Sequence, residues 1–94
     1  MDSTIYVTAQ LMIKPEMDIN EAKKAIEQFC LDMESEAGCL KAQATYDVDN
    51  ERSVILWEEY ADKAAIEAHF STPHTQAFIA KGMTELVRAT NSQK

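Results

Sequence analysis

The chain has 94 residues, a hydrophobic content of 46% and a formal net charge of −7. This length is near the lower end for an independent core, so we interpret residues 1–94 as a single domain. The acidic excess argues against binding to nucleic acid or to anionic membrane surfaces, which attract basic patches. No apolar run approaches the roughly 20 residues that span a bilayer, so no membrane segment is predicted.

The N-terminus and the cysteines indicate a cytoplasmic protein. Residues 1–4 contain no basic segment followed by an apolar core, so no signal peptide is predicted. Cys30 and Cys39 lack CxxC spacing, and one disulfide between them is possible. Two reduced thiols are favoured, because Cys30 falls on the apolar side of a predicted helix, where buried free cysteines are common.

The first half of the chain changes hydrophobic period twice. Ile5 to Ile13 carries apolar residues at alternate positions and is followed by Pro15, which predicts a strand. Apolar residues from Ile19 to Ala37 fall at helical spacing, and Gly38 is predicted to cap that helix. From Leu40 to Val48 the period returns to two, which predicts a second strand.

The second half begins with a predicted hairpin, because a polar turn separates the second strand from an apolar run at Ser53 to Tyr60. Three elements are predicted after it. They are a helix capped by Asp62 with Ala65, Ile66, His69 and Phe70 on one face, a helix begun by Thr72 and Pro73, and a short strand from Leu86 to Thr90 before a frayed tail, Asn91 to Lys94.

The resulting order, β-α-β-β-α-(α)-β, predicts an α+β fold of the ferredoxin-like, split βαβ type. Its antiparallel sheet would be covered by helices on one face. The third strand is nevertheless apolar on both faces, with Val54, Leu56 and Tyr60 on one and Ile55 and Trp57 on the other. A strand of this kind is buried on both faces. We therefore predict a homodimer in which two sheets pack face to face.

His69 is the best candidate for acid–base chemistry. Its helix face directs it toward the sheet, where burial disfavours the imidazolium and leaves a neutral imidazole that accepts a proton. Glu58 lies on the helix-facing side of the third strand and needs a partner there. A Glu58–His69 hydrogen bond would orient the imidazole for catalysis. A purely structural role remains the alternative for each of the two residues.

Several other side chains are candidates for substrate binding. Aromatic rings suit a flat apolar pocket for an aromatic substrate, although core packing explains most aromatic residues in a small domain. Trp57 has the dimer interface as its alternative, and His74 is either a residue of the cap region of the last helix or a residue at the pocket mouth. The candidates are Tyr46, Trp57, Tyr60, Phe70 and His74.

Neither a metal nor an organic cofactor is predicted. Two histidines and Glu58 are the ligand types of an iron facial triad, but His69 and His74 are five residues apart, unlike helical ligand pairs. Only two glycines, Gly38 and Gly82, are present, so the chain has no phosphate-binding glycine loop for a nucleotide or flavin.

Four segments carry a further pattern: Glu36-Ala37-Gly38-Cys39-Leu40, Trp57-Glu58-Glu59-Tyr60, Ala64-Ala65-Ile66-Glu67-Ala68-His69, and Ser71-Thr72-Pro73-His74 through Phe78. They resemble the motifs E-x-G-C/N, E-x-W/Y and A-x-x-x-H-x-x-S/T-x-H of the antibiotic biosynthesis monooxygenase (ABM) domain family. The resemblance covers essentially the whole chain and is most specific from Glu58 to His74. Tyr60 departs from it, because many members have tryptophan there.

The resemblance implies a dimeric α/β barrel and, in many members, oxidation of a quinol or polyketide phenol by O₂ without a cofactor. By position, His69, Glu58 and His74 match the recurrent polar residues of that family. A branch that isomerises a phosphorylated autoinducer sugar is similar to the same segments, and a non-catalytic ligand-binding module is a third interpretation. A sugar phosphate would need a cationic partner, for which the candidates are Lys41, Arg52, Lys63, Lys81 and Arg88.

Overall fold

A computed structural model describes residues 3–94. Met1 and Asp2 lie outside the described residues. The prediction that the N-terminus has no signal peptide includes these two residues. The elements are β1 (Ile5–Ile13), α1 (Ile19–Glu34), β2 (Cys39–Tyr46), β3 (Ser53–Tyr60), α2 (Lys63–Phe70), α3 (Pro73–Lys81) and β4 (Thr84–Ser92). This is the predicted order, including the second short helix begun by Pro73.

The four strands form one antiparallel sheet in the order β2-β3-β1-β4. This α+β, ferredoxin-like arrangement confirms the predicted fold class. The last strand is longer than predicted, because Asn91 and Ser92 pair with Val7 and Tyr6 of β1 instead of fraying. These polar residues belong to the sheet through backbone hydrogen bonds, and a search for hydrophobic periodicity does not detect such pairing.

The three helices cover one face of the sheet, and the core lies between the two layers. Val54, Leu56 and Tyr60 of β3 are buried there, as predicted, against the apolar face of α1. Cys30 and Cys39 are both buried free thiols. Burial raises the thiol pKa of Cys30 to about 12 and that of Cys39 to about 11, so both remain protonated at neutral pH.

The opposite face of the sheet carries no helix of the described chain. Trp57 is 43% exposed there, and its Nε1 donates a hydrogen bond to Thr45 Oγ1 at 2.8 Å. Ile55 is half-buried on the same face. The two-sided apolar character of β3 is therefore observed, while the second sheet expected to cover it stays a prediction. No helix within residues 3–94 is long and apolar enough to cross a bilayer.

Gly38 does not have the role predicted for it. Helix α1 ends at Glu34 and is capped by Ser35, and Gly82 at the end of α3, with φ 61°, is the glycine that adopts the left-handed conformation. At Gly38 the constraint is space, because an added Cβ would lie 2.4 Å from the Cβ of Ala65 in α2. This close approach brings the α1–β2 turn against the helix that carries His69.

Gly38→Ala is expected to lower the free energy of unfolding by about 1–3 kcal/mol, because the added methyl overpacks the contact with Ala65. Ala65→Gly alone should cost about 1 kcal/mol of helix propensity. The double variant should lose less than the sum of the two, as urea denaturation can measure. Ala64→Gly, at an exposed α2 position, is the control. Additive losses in the Gly38–Ala65 pair would contradict the contact.

Candidate functional site

A cavity of about 400 Å³ lies between the sheet and helices α2 and α3. Its walls are mainly apolar, and the side chains of Phe70, Ile79 and Leu86 remain 55%, 59% and 65% exposed at its edge. The cavity therefore opens to solvent beside β4. Six polar side chains also line it: Glu58, Tyr60, His69, Thr75, Thr84 and Asn91.

Glu58 and Tyr60 form a pair on one wall of the cavity. Both belong to the helix-facing side of β3, and the Tyr60 hydroxyl donates a short hydrogen bond to Glu58 Oε1. Burial raises the pKa of the Glu58 carboxyl, while the hydrogen bond from Tyr60 and the nearby His69 lower it. Burial and the neighbouring carboxylate also raise the pKa of Tyr60, which keeps its hydroxyl a donor.

His69 lies in the last turn of α2 and is 5% exposed. Its ring contacts three aromatic rings, with centroid distances of 5.9 Å to Phe29, 5.5 Å to Tyr60 and 5.0 Å to Phe70. The predicted hydrogen bond to Glu58 is not formed. Instead, His69 Nδ1 lies 2.9 Å from Glu36 Oε2, because Glu58 already accepts from Tyr60 on its own strand.

The other ring nitrogen of His69 belongs to the cavity. An ionised carboxylate only accepts hydrogen bonds, so in a neutral His69 ring the pairing with Glu36 requires that Nδ1 carry the proton, and the lone pair is then on Nε2. No hydrogen bond to Nε2 is found among the described residues, and none of their fully buried side-chain nitrogen or oxygen atoms lacks a partner. Nε2 is therefore accessible, on a ring that lines the cavity.

His74 and Glu36 lie behind His69, outside the cavity wall. His74 Nε2 is 2.5 Å from the same Glu36 oxygen that binds His69, so the carboxylate stands between two imidazoles. His74 therefore lies in the cap region at the start of α3, one of its two predicted placements, and is not among the residues that line the cavity. Sequence reasoning did not select Glu36 as a site residue, although it begins the first segment of the family resemblance. Its position in the turn before β2, facing α2, was the missing information.

The cluster has the ligand types of a metal site. One atom each from Glu36, His69 and His74 lies within 4.8 Å of the others, and two imidazoles with a carboxylate suit a divalent transition metal. The N···O distances of 2.9 and 2.5 Å are those of charge-assisted hydrogen bonds. Hydrogen bonding therefore accounts for the cluster as it stands.

The structure brings together His69, Glu58, Tyr60 and Phe70 in the cavity, but not Tyr46 or Trp57. Trp57 faces the other side of the sheet, because it alternates with Glu58. The Tyr46 hydroxyl donates to Glu27 Oε2 at 2.7 Å, at the end of β2. Strand β2 is the sheet edge opposite β4, so its side chains lie far from the cavity mouth.

Comparisons of the sequence and of the structure with known proteins relate this chain to one family. A family model described as antibiotic biosynthesis monooxygenase matches residues 4–81. The uncharacterized protein YjcS of Bacillus subtilis (strain 168) is 31% identical over 81 residues, covering 86% of this chain and 77% of that protein. A solved structure of a protein YJCS is 29% identical, covers 98% of this chain and 99% of that one, and has a TM-score of 0.89. A crystal structure of an antibiotic biosynthesis monooxygenase, 22% identical with a TM-score of 0.85, covers 96% of this chain and 97% of that one and has the same fold.

Glu58→Gln is expected to change how stability depends on pH. Below the ordinary pKa of 4.5 the Glu58 carboxyl is protonated in both folded and unfolded chains. Above it the unfolded chain loses the proton while the buried carboxyl retains it, so wild-type stability falls as pH rises through the raised folded pKa. The Glu58→Gln variant has no carboxyl at this site and cannot lose this contribution. Its free energy of unfolding should therefore increase relative to that of wild type as pH rises.

Urea denaturation of both proteins between pH 4 and 8 measures this difference. Glu67→Gln removes the same charge from an exposed site on α2 and controls for net charge. A difference between wild type and Glu58→Gln that stays constant over this range would show that burial does not favour the protonated carboxyl.

Proposed function

Because the chain belongs to the antibiotic biosynthesis monooxygenase family, we propose that it oxidises a small phenol or quinol with O₂, without a cofactor. The observation that carries this proposal is the accessible Nε2 of a buried histidine beside a mainly apolar cavity of about 400 Å³. Such a volume fits a small aromatic ring system. An apolar cavity with one base suits a reaction that needs proton removal from a weak acid.

In the proposed reaction His69 Nε2 takes the phenolic proton, and the resulting phenolate is the reductant. O₂ accepts electrons from the ring and forms a C–O bond, giving a ring peroxide anion. The O–O bond then breaks as the imidazolium returns its proton. One oxygen atom remains as the new carbonyl of a quinone, and the other leaves as water with the proton from the ring carbon.

The remaining polar wall would orient the substrate. Glu58 and Tyr60 would face the substrate oxygen from β3, and the exposed ring of Phe70 would cover its aromatic face. His69 and Glu58 are then the residues nearest the chemistry, with Glu58 fixed by Tyr60 and not by His69. Tyr46 and Trp57 have no place in this substrate-binding set.

The lining of the cavity favours an aromatic ligand over a sugar phosphate. No lysine or arginine is among its described lining residues. One of the cationic candidates, Arg52, donates a hydrogen bond to the Lys14 carbonyl at 2.7 Å, outside the cavity. A phosphate in the cavity would therefore have no lysine or arginine partner among the described lining residues. A non-catalytic module is also disfavoured, because Glu58 and His69 do not satisfy each other and His69 Nε2 stays available.

His69→Ala is expected to lower the rate of O₂ consumption with a panel of quinols and phenols by about 100-fold or more, because a general base contributes 10²–10⁴-fold. An oxygen electrode measures the rate. Glu67→Ala, at an exposed position of the same helix, is the matched control and should keep wild-type activity. Activity that survives His69→Ala would overturn the assigned base. Binding of a sugar phosphate without O₂ uptake would favour the isomerase.

We also infer a homodimer through the helix-free sheet face. Trp57 is 43% exposed on this face beside half-buried Ile55, and a second copy of the same sheet would bury both. This arrangement agrees with the dimeric barrel that the family resemblance implies. It would leave the cavity, on the opposite side of the sheet, available to substrate in each subunit.

Sedimentation velocity at micromolar concentration should show a dimer. Trp57→Glu should weaken it by about 30-fold or more, because loss of a central aromatic anchor costs about 2 kcal/mol. Val48→Glu, at a 97% exposed turn position, is the control. Trp57 is the only tryptophan, so the fluorescence of the wild-type protein should shift to the red when dilution dissociates the dimer. A well-folded wild-type monomer at this concentration would contradict the proposed interface.

A further inference from the structure

We propose that Glu36 is the positioning residue for His69 and that His74 anchors the Glu36 carboxylate. The inference rests on the proposed function, in which His69 is the base. Glu36 Oε2 lies 2.9 Å from His69 Nδ1 and 2.5 Å from His74 Nε2, so one oxygen accepts from both rings. Neither Glu36 nor His74 lines the cavity, and both would therefore act through His69.

The first role of Glu36 is to select the tautomer of His69. A neutral imidazole has one N–H and one lone pair, and only the tautomer with the proton on Nδ1 presents a lone pair at Nε2 to the cavity. Thr75 Oγ1, 3.3 Å from Nδ1, is the only other described group that contacts this nitrogen. A hydroxyl both donates and accepts, so Thr75 alone does not impose the tautomer. The Glu36 carboxylate, which can only accept, imposes it.

The second role is electrostatic. When His69 takes a proton it becomes an imidazolium with 6% side-chain exposure, and a buried unpaired charge is costly. The Glu36 carboxylate, also largely buried with 11% exposure, supplies the opposite charge at hydrogen-bonding distance. It stabilises the imidazolium during the interval in which the phenolate reacts with O₂.

His74 has a different part, because a carboxylate that orients another residue must itself be held. Glu36 belongs to the irregular turn between α1 and β2, where its side chain would otherwise be free to rotate. His74 is in the first turn of α3, whose start is fixed by Pro73 and by the Thr72 cap. Its Nε2–H donates to the oxygen that faces His69, and its ring packs edge-on to Phe29 at a centroid distance of 6.4 Å.

Charged and titratable groups approach His69 from the α1–β2 turn, from α3 and from β3. Glu36 faces Nδ1 from the α1–β2 turn, with His74 of α3 behind it, and Glu58 and Tyr60 approach from β3. Glu58 accepts its hydrogen bond from the Tyr60 hydroxyl. Glu36 is therefore the carboxylate whose hydrogen bond reaches the imidazole.

The decisive measurement is the tautomer of His69, read from long-range proton–nitrogen NMR of ¹⁵N-labelled protein at a pH where both rings are neutral. The chain has only two histidines, so His74→Gln leaves a single ring and assigns the signals. In wild type we expect protonated Nδ1 and unprotonated Nε2. Glu36→Gln should give a mixture of the two tautomers, because an amide either donates or accepts. Glu67→Gln, exposed on α2, is the matched control.

Turnover provides the second readout. Glu36→Gln should lower kcat for the best quinol by at least about tenfold with little change in KM, because Glu36 does not contact substrate. His74→Ala should lower kcat less, and His74→Gln, which keeps a donor, should recover part of the loss. An unchanged tautomer in Glu36→Gln, or an unchanged kcat despite an altered tautomer, overturns the positioning role.

These outcomes separate the two proposals. If no quinol supports O₂ uptake by wild type, the proposed function fails, while the tautomer measurement still decides whether Glu36 positions His69. Titration with Zn²⁺ or Co²⁺ tests the competing interpretation of the same three residues. Stoichiometric binding that moves both histidine rings in wild type and is lost in Glu36→Gln would overturn the positioning role in favour of a metal site.

Discussion

The hydrogen bonds of one carboxylate connect three parts of the chain that are distant in sequence. Glu36 lies in the turn after α1, and its partners His69 and His74 belong to the end of α2 and the start of α3. A largely buried carboxylate is stable only with such partners. The arrangement of α2 against α3 therefore depends on this contact, and so does the direction in which the His69 ring presents Nε2. The close approach of Gly38 to Ala65 brings the same turn near enough to make it.

The cavity beside this cluster follows from small side chains on the central part of the sheet. Ala9 of β1 and Ala89 of β4 are directly paired and both line the cavity. Larger residues there would fill the space beneath α3. On the opposite wall Phe29 and Phe78 stack with centroids 4.2 Å apart. Small side chains of the sheet thus leave room for the cavity, and the helices that bound it are held in place by the Glu36 cluster.

The sequence predicted the fold well because each element has a clear hydrophobic period or cap. The start of α3 is an example, since Thr72 and Pro73 begin a helix for local reasons. The faces of β3 were also predictable, and with them the burial of Glu58. The partner of His69 was not, because two carboxylates approach the same helix and only the sheet register and turn geometry decide between them. Glu58 already has Tyr60 two residues along the same strand face.

In the proposed reaction the two carboxylates near His69 would consequently have different chemical tasks, set by what surrounds each. Glu58 is buried beside a hydroxyl donor, and burial raises the pKa of its carboxyl toward the neutral form. In that form it would offer a substrate oxygen a polar contact without placing a second negative charge beside the proposed phenolate. Glu36 stands between two imidazoles, an environment that matches a negative charge. A site that generates a substrate anion next to an imidazolium would benefit from this division, because the Glu36 carboxylate lies behind the histidine, while the carboxyl whose pKa is raised by burial faces the substrate.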